Sequence, residues 1–351
     1  MLPTSQFLLL CLFYCHSFLS ELRSEARIEA MLTAKHCKVL HEREWSIPLN
    51  EAVKPSTNPL ERVFRKLCPK TTLDHIDYVR ISEDAGDAEV SSLRLLEYLT
   101  RVNIGDGRMT MRGFRDLGGC KELRQISLEE GFFRLKTLEP LRDCQKLENL
   151  WLHFAQLAPG DLKSIENKRS LKFVALFKSQ FVADNLKSLA SLPSLEEVEL
   201  LYCSFDHESL SSLSAARNLR HLTIDTACLD ELESLADFKG LKALSLTRLA
   251  VPTSALESLA RLPDLRRLDL ASVRAPSIKA IAQLTELENL TLIDVAIDFP
   301  LLDTLKGMFQ LKQLHIEHCG LDEQTLDRIR EYCQLRKIEF ILKNDRLRLP
   351  F

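Results

Sequence analysis

The sequence predicts an α/β solenoid: about twelve short repeats, each contributing one strand and one short helix to a stack. Three observations predict it. The unit L-x-x-L-x-L recurs along the chain at nearly constant spacing, residues alternate within it with the period of two that a strand requires, and apolar pairs spaced by three recur between the units. A single such unit cannot bury its own leucines, so the repeats must stack to close a core.

The units begin at Leu99, Leu123, Leu147, Leu171, Leu195, Leu219, Leu241, Leu265, Leu287, Leu311 and Leu335, with steps of 24 residues apart from two of 22. A weaker copy, Ile76, Val79 and Ile81, precedes them by 23 residues. In the unit from Leu147, alternation sends Leu150 and Leu152 to one face of the strand and Asn149, Trp151 and His153 to the other. The pairs Leu186/Leu189, Leu210/Leu213, Leu232/Leu235, Leu256/Leu259, Ile278/Ile281, Leu302/Leu305 and Leu326/Ile329 suit one or two turns of α or 3-10 helix with one buried face. Asp161 and Asp206 stand where such helices begin and are read as caps, while Pro193 and Pro263 mark the return to extended chain. Stacked in register, these elements give a curved parallel sheet on a concave face and short helices on the convex face.

The ends of the chain lack the period. Residues 1–20 contain an apolar run, Phe7 to Cys15, that reads either as a secretory h-region or as a docked helix. No Lys or Arg forms an n-region, and the run is a poor membrane span. Residues 21–75 carry Trp45, Pro48, Pro55, Pro59 and Pro69 and are expected to cap the first repeat. The residues after Cys333, ending in Asn344 to Phe351, are expected to close the other end.

The segment from Leu195 to Phe205, with Val198, Leu200, Cys203 and Phe205 at the apolar positions, resembles the leucine-rich-repeat template. Leu311 to Leu321, with Leu314, Ile316 and Cys319, does so again. The resemblance covers about residues 76 to 351, and its period is similar to the internalin and phosphatase-regulator branches of that family. It implies a leucine-rich-repeat solenoid that binds proteins. The chain departs from the template at the Asn/Cys position, where Ala155, Ser179, Ala227, Leu249, Val273 and Val295 stand elsewhere. An apolar side chain cannot bond the turning backbone there, so the family's turn geometry is not expected in those repeats.

Composition narrows the function. Lys and Arg number 47 against 50 Asp and Glu, for a net charge of -3, so there is no global basic field to attract nucleic acid. The 10 cysteines include no C-x-x-C pair, which leaves zinc without support. Cys120 and Cys144 occupy equivalent positions one repeat apart, where packing is the expected role and a disulfide the alternative. Gly105-Asp-Gly107 and Gly118-Gly119 read as turns rather than phosphate loops. His315-Ile-Glu317-His318-Cys319 is the one metal-like cluster, and solvated strand residues explain it better. Asn289-Leu-Thr291 is a sequon that matters only in a secreted chain. No catalytic constellation and no cofactor motif stands out, so no enzyme is expected.

What remains is the concave face. Three consecutive repeats present Trp151, His153 and Phe154, then Phe173 and Phe177, then Leu201 and Tyr202. Around them lie Glu129, Glu130, Glu197, Glu199 and Asp225, with Lys178 as the exception. The expected role is a protein-binding scaffold or adaptor whose partner offers an apolar anchor and a basic rim. A substrate-recognition subunit of a ubiquitin ligase, using residues about 45 to 75 as a docking motif, and a secreted recognition protein are the alternatives. Beyond the aromatic cluster, Arg101, Arg248, Arg267 and Lys337 among Asp106, Asp269, Asp294 and Glu339 read as mixed solvated charge.

Overall fold

The computed structural model describes residues 38–41, 76–81, 85–105, 109–129, 138–205, 207–225, 233–275, 277–297 and 300–343. The chain divides into two compact units, Met1–Leu135 with Glu139–Leu147, and Lys136–Leu138 with Glu148–Phe351. Both are built from repeats of a short strand followed by a short helix or 3-10 turn. The expected roles of residues 1–20 and 344–351, of Trp45 and the prolines, and of Asp206 lie outside the described residues.

In the first unit, β1 (Lys38–His41) pairs antiparallel with β2 (Ile76–Ile81), and β2, β3 (Arg101–Ile104) and β4 (Gln125–Leu128) run parallel in register. Two short helices accompany them, α1 (Asp87–Ser92) and α2 (Met111–Leu117). They approach so closely at Gly113 that a Cβ there would meet Asp87 Oδ1 at 2.6 Å. Burial alone would raise the Asp87 carboxyl, but hydrogen bonds from the hydroxyl and N–H of Thr110 outweigh it and hold the group below its usual range. Cys120 and Cys144 are free buried thiols, and burial pushes Cys120 up to about 12. Packing therefore describes this pair.

The second unit is one run of parallel strands, each bonded to the next: β5 (Asn149–His153), β6 (Phe173–Phe177), β7 (Glu197–Leu201), β8 (His221–Asp225), β9 (Ala243–Thr247), β10 (Arg267–Ala271), β11 (Asn289–Ile293), β12 (Gln313–Glu317) and β13 (Glu339–Lys343). Each register step from β5 to β12 equals the sequence repeat, so equivalent residues stand side by side: Leu152 beside Leu176 and Leu200 beside Ile224, all fully buried. Returning chain segments form α3 (Ala183–Ala190), α4 (His207–Leu213), α5 (Thr253–Ser258), α6 (Leu301–Gly307) and α7 (Glu323–Arg336), with 3-10 turns in the other repeats. Leu186/Leu189, Leu210/Leu213, Leu256/Leu259, Ile278/Ile281 and Leu326/Ile329 are buried as the spacing of three requires.

Four details depart from the sequence reading. In α6 the buried pair is Leu301 and Leu305, while Leu302 is only half-buried, because a full α-turn favours spacing four. Asp161 caps no helix. Its carboxylate accepts from the N–H of Ala158, three residues earlier, and tightens the preceding turn. Leu335 does not enter the core: α7 runs for 14 residues, buries Cys333 instead and leaves Leu335 81% exposed.

The fourth concerns the turn after β5 to β7 and after β9 to β12. Phe154, Lys178, Tyr202, Arg248, Ser272, Asp294 and His318 all adopt the left-handed conformation, with φ between 48° and 57°. Each of the first six except Lys178, Arg248 and Asp294 donates its N–H to the next strand's last carbonyl at 2.7 Å, and those three do so at 2.8 Å. This ladder is as regular before Leu249, Val273 and Val295 as before Ser179 and Cys203, so the turn persists where an apolar residue fills the Asn/Cys position. The reason is that the bond runs backbone to backbone between repeats and needs no side chain.

Candidate binding surface on the strand face

On β5 to β7 the alternation places the leucines and valines beneath the sheet and the large variable residues above it. Trp151, His153, Phe154, Phe173, Phe177 and Leu201 are half-buried and Tyr202 is 40% exposed. The structure brings the expected residues together, though not all by lateral pairing. Trp151 lies in register with Ala175, whose small side chain leaves room, and leans diagonally onto Phe173 with ring centroids 5.0 Å apart. His153 stands directly beside Phe177 at 5.4 Å.

Phe177 is the hub. Phe154 meets it edge-on at 5.8 Å and Tyr202 at 5.5 Å, the orientations in which a ring's positive edge faces another's negative face. Phe154 and Tyr202 reach it because their left-handed backbone turns the side chain back over the strand end. Leu201 sits in register with Phe177 and extends the apolar area.

Charge is arranged differently from the expectation of an acidic surround with Lys178 as its one exception. The Lys178 ammonium lies over the rings of Phe154 and Phe177, at 5.1 and 5.4 Å from their centres. Arg248 lies over Tyr202 at 4.7 Å and also pairs with Asp225, which removes that carboxylate from the acidic set. Glu197 and Glu199 remain on β7, and burial, then repulsion from Glu197, pushes the Glu199 carboxyl above its usual range. His221 stands 3.9 Å from Glu197. The patch is thus polar in the literal sense: carboxylates toward the start and middle of β7, cations at the strand ends. Glu129 belongs to the first unit, and Glu130 lies outside the described residues. The cations were legible as residue types, but their seating on rings depends on the turn conformation.

The other candidates resolve by direction. His315 Nε2 is 3.3 Å and His318 Nε2 3.6 Å from the Glu317 carboxylate, but Cys319 points into the core and donates to the Leu292 carbonyl. Among the described residues no group of three His, Cys, Asp or Glu is placed to hold a metal ion. Asn289 uses its amide to donate to Gln313 at 2.9 Å. Arg101 pairs with Asp77 and Arg267 with Asp269, as mixed surface charge does. Among the described residues no helix is long and apolar enough to cross a membrane.

No protein-family model and no curated protein matches the chain. Among solved structures it is similar to an internalin from Listeria monocytogenes, at 16% identity over 82% of this chain and 90% of that one, with a TM-score of 0.48. A leucine-rich-repeat protein of Leptospira interrogans matches at 16% identity over 74% of each chain, with a TM-score of 0.43. An internalin C2 from Listeria monocytogenes matches at 18% identity, covering 60% of this chain and 87% of that one, with a TM-score of 0.35.

Proposed function

We propose that this chain is a non-enzymatic protein-binding scaffold, and that its partner docks on the strand face of β5 to β7. One observation carries the reading: aromatic rings and a leucine lie together, part-exposed, on three adjacent strands, with Phe177 as the junction of the rings at the strand ends. Packing of the core requires none of them, because the leucine ladder beneath is already fully buried. Rigid aromatics lose little side-chain entropy on binding and dominate interface energetics. The partner fitted by this surface presents an apolar anchor to Trp151, Phe173, Phe177 and Tyr202, with basic groups placed to meet Glu197 and Glu199.

Affinity capture with the wild type beside a chain carrying Trp151→Ala, Phe173→Ala, Phe177→Ala and Tyr202→Ala tests it. A protein held by the wild type should bind the variant about a hundredfold more weakly or worse, while circular dichroism at the assay temperature stays unchanged and melting, lowered by the lost ring contacts, stays cooperative. Thr291→Ala, on the same face of β11, should leave binding intact. Equal binding by the aromatic variant overturns the proposal.

A further inference from the structure

The last strand of the second unit is built differently from those before it. Among the described residues β13 is bonded to β12 alone, and no described strand pairs with its other edge. Leu314 and Ile316 of β12 are fully buried, whereas Phe340 and Leu342, their register partners on β13, are only half-buried. An edge of this kind is a template for another strand.

Register and parity say which strand fits. The N–H of Glu339 donates to the Lys312 carbonyl at 2.8 Å, so Glu339, Ile341 and Lys343 direct their backbone groups toward β12. Phe340 and Leu342 therefore direct theirs outward. An antiparallel partner must oppose outward-directed residues to one another as hydrogen-bonded pairs. In a second copy of β13 related by a two-fold axis through Ile341, Phe340 meets Leu342 of the other copy and each donates to the other's carbonyl. That register also places Glu339 opposite Lys343 and Lys343 opposite Glu339, at the close, non-hydrogen-bonded pairs about 4.5 Å apart at Cα. A parallel copy would instead set Glu339 against Glu339 and Lys343 against Lys343. Like charges directly opposite oppose pairing.

We infer that the outer edge of β13 is the interface of a homodimer, in which two copies join antiparallel through Glu339–Lys343. The contact is isologous, closes on itself and covers the half-buried Phe340 and Leu342 of both copies. It lies on a different surface from the aromatic patch and stands or falls independently of it. Glu339 accepts from the Gln313 amide and Lys343 stands 4.0 Å from Glu317 within the chain. Both side chains are exposed and keep capacity for a second partner.

Sedimentation velocity and light scattering of the full chain over a concentration series should show a monomer–dimer equilibrium. Glu339→Lys and Lys343→Glu, each alone, should weaken self-association about tenfold or more, since each sets like charges opposite at both ends of the pairing. Mixing the two variants should restore a dimer, because the copy with lysine at both positions then faces the copy with glutamate at both. Unchanged melting and circular dichroism would show that the variants fold. A wild type that stays monomeric throughout, or single variants that associate as the wild type does, overturns the inference. So does a full chain that is monomeric while one ending at Lys343 dimerises, since the terminal residues would then occupy the edge.

Discussion

Strands β5 to β7 and strands β9 to β11 share one backbone and carry opposite surfaces. In both, alternate leucines or valines are buried and the residue after each strand is left-handed, with its N–H on the next strand's carbonyl. Above that common frame β5 to β7 bear rings, with Phe154, Lys178 and Tyr202 at the left-handed position. Strands β9 to β11 bear Ser245, Thr247, Asp269 and Thr291, with Arg248, Ser272 and Asp294 at that position. The difference teaches that repeat geometry and surface chemistry are separable here: the inter-repeat hydrogen bonds dictate where a side chain is held, and only the variable residue decides what is held there.

The strongest test of the shared frame is at the turn. Ser179 is buried, and its hydroxyl accepts from the Ala155 N–H at 3.0 Å, whereas Val273 and Val295 stand at the same position without a hydroxyl. Ser179→Ala should cost about 1–3 kcal/mol in denaturant unfolding, because it leaves a buried donor without its acceptor. A cost near zero would show that the aromatic half is as independent of side-chain bonding as the other half.

A smaller effect separates frame from surface at the left-handed residues. Ser272→Gly should stabilise the fold by up to about 1 kcal/mol, since glycine adopts that conformation without the penalty other residues meet and the variant gives up only an exposed hydrogen bond to Asp294. Tyr202→Gly gains the same backbone relief but loses the contacts with Phe177 and Arg248. Its melting temperature should therefore stay close to the wild-type value, while partner binding falls. Equal stabilisation by the two substitutions would show that the ring contacts contribute nothing to the fold.

The smallest effect lies at Glu199. Its folded-state carboxyl sits above the unfolded value, so the protonated form is favoured by folding. That advantage is present below the unfolded pKa and is lost as pH rises through the folded one. Glu199→Gln should accordingly raise stability at neutral pH by less than about 1 kcal/mol, as befits a part-exposed group, with the gain vanishing in acid. The same substitution should weaken binding of the proposed basic partner. Stability unchanged at every pH would mean that the burial of Glu199 and its crowding by Glu197 carry no cost.

Much of the frame could be read without coordinates because a strand's period of two and a short helix's period near three are written directly into which residues are leucine. Residues such as Leu335 show the boundary of that reading. Its place in the motif matches ten others, yet the 14-residue α7 runs on through it and turns its side chain to solvent before the chain returns as β13. Asp161 fits a helix cap by residue type and spacing but bonds the turn before it.

For the surface, the seven candidate residues and their strands followed from the amino-acid sequence alone, because identical steps of 24 residues put equivalent positions side by side. Only the tertiary structure decided that Trp151 leans across the gap above Ala175 to Phe173, that Lys178 and Arg248 rest on rings, and that Asp225 is taken up by Arg248. Those outcomes depend on side-chain direction and on left-handed turns held by neighbouring repeats. A backbone angle imposed by a hydrogen bond from one repeat to the next leaves no mark in the residues that adopt it, which here are Phe, Lys, Tyr, Arg, Ser, Asp and His.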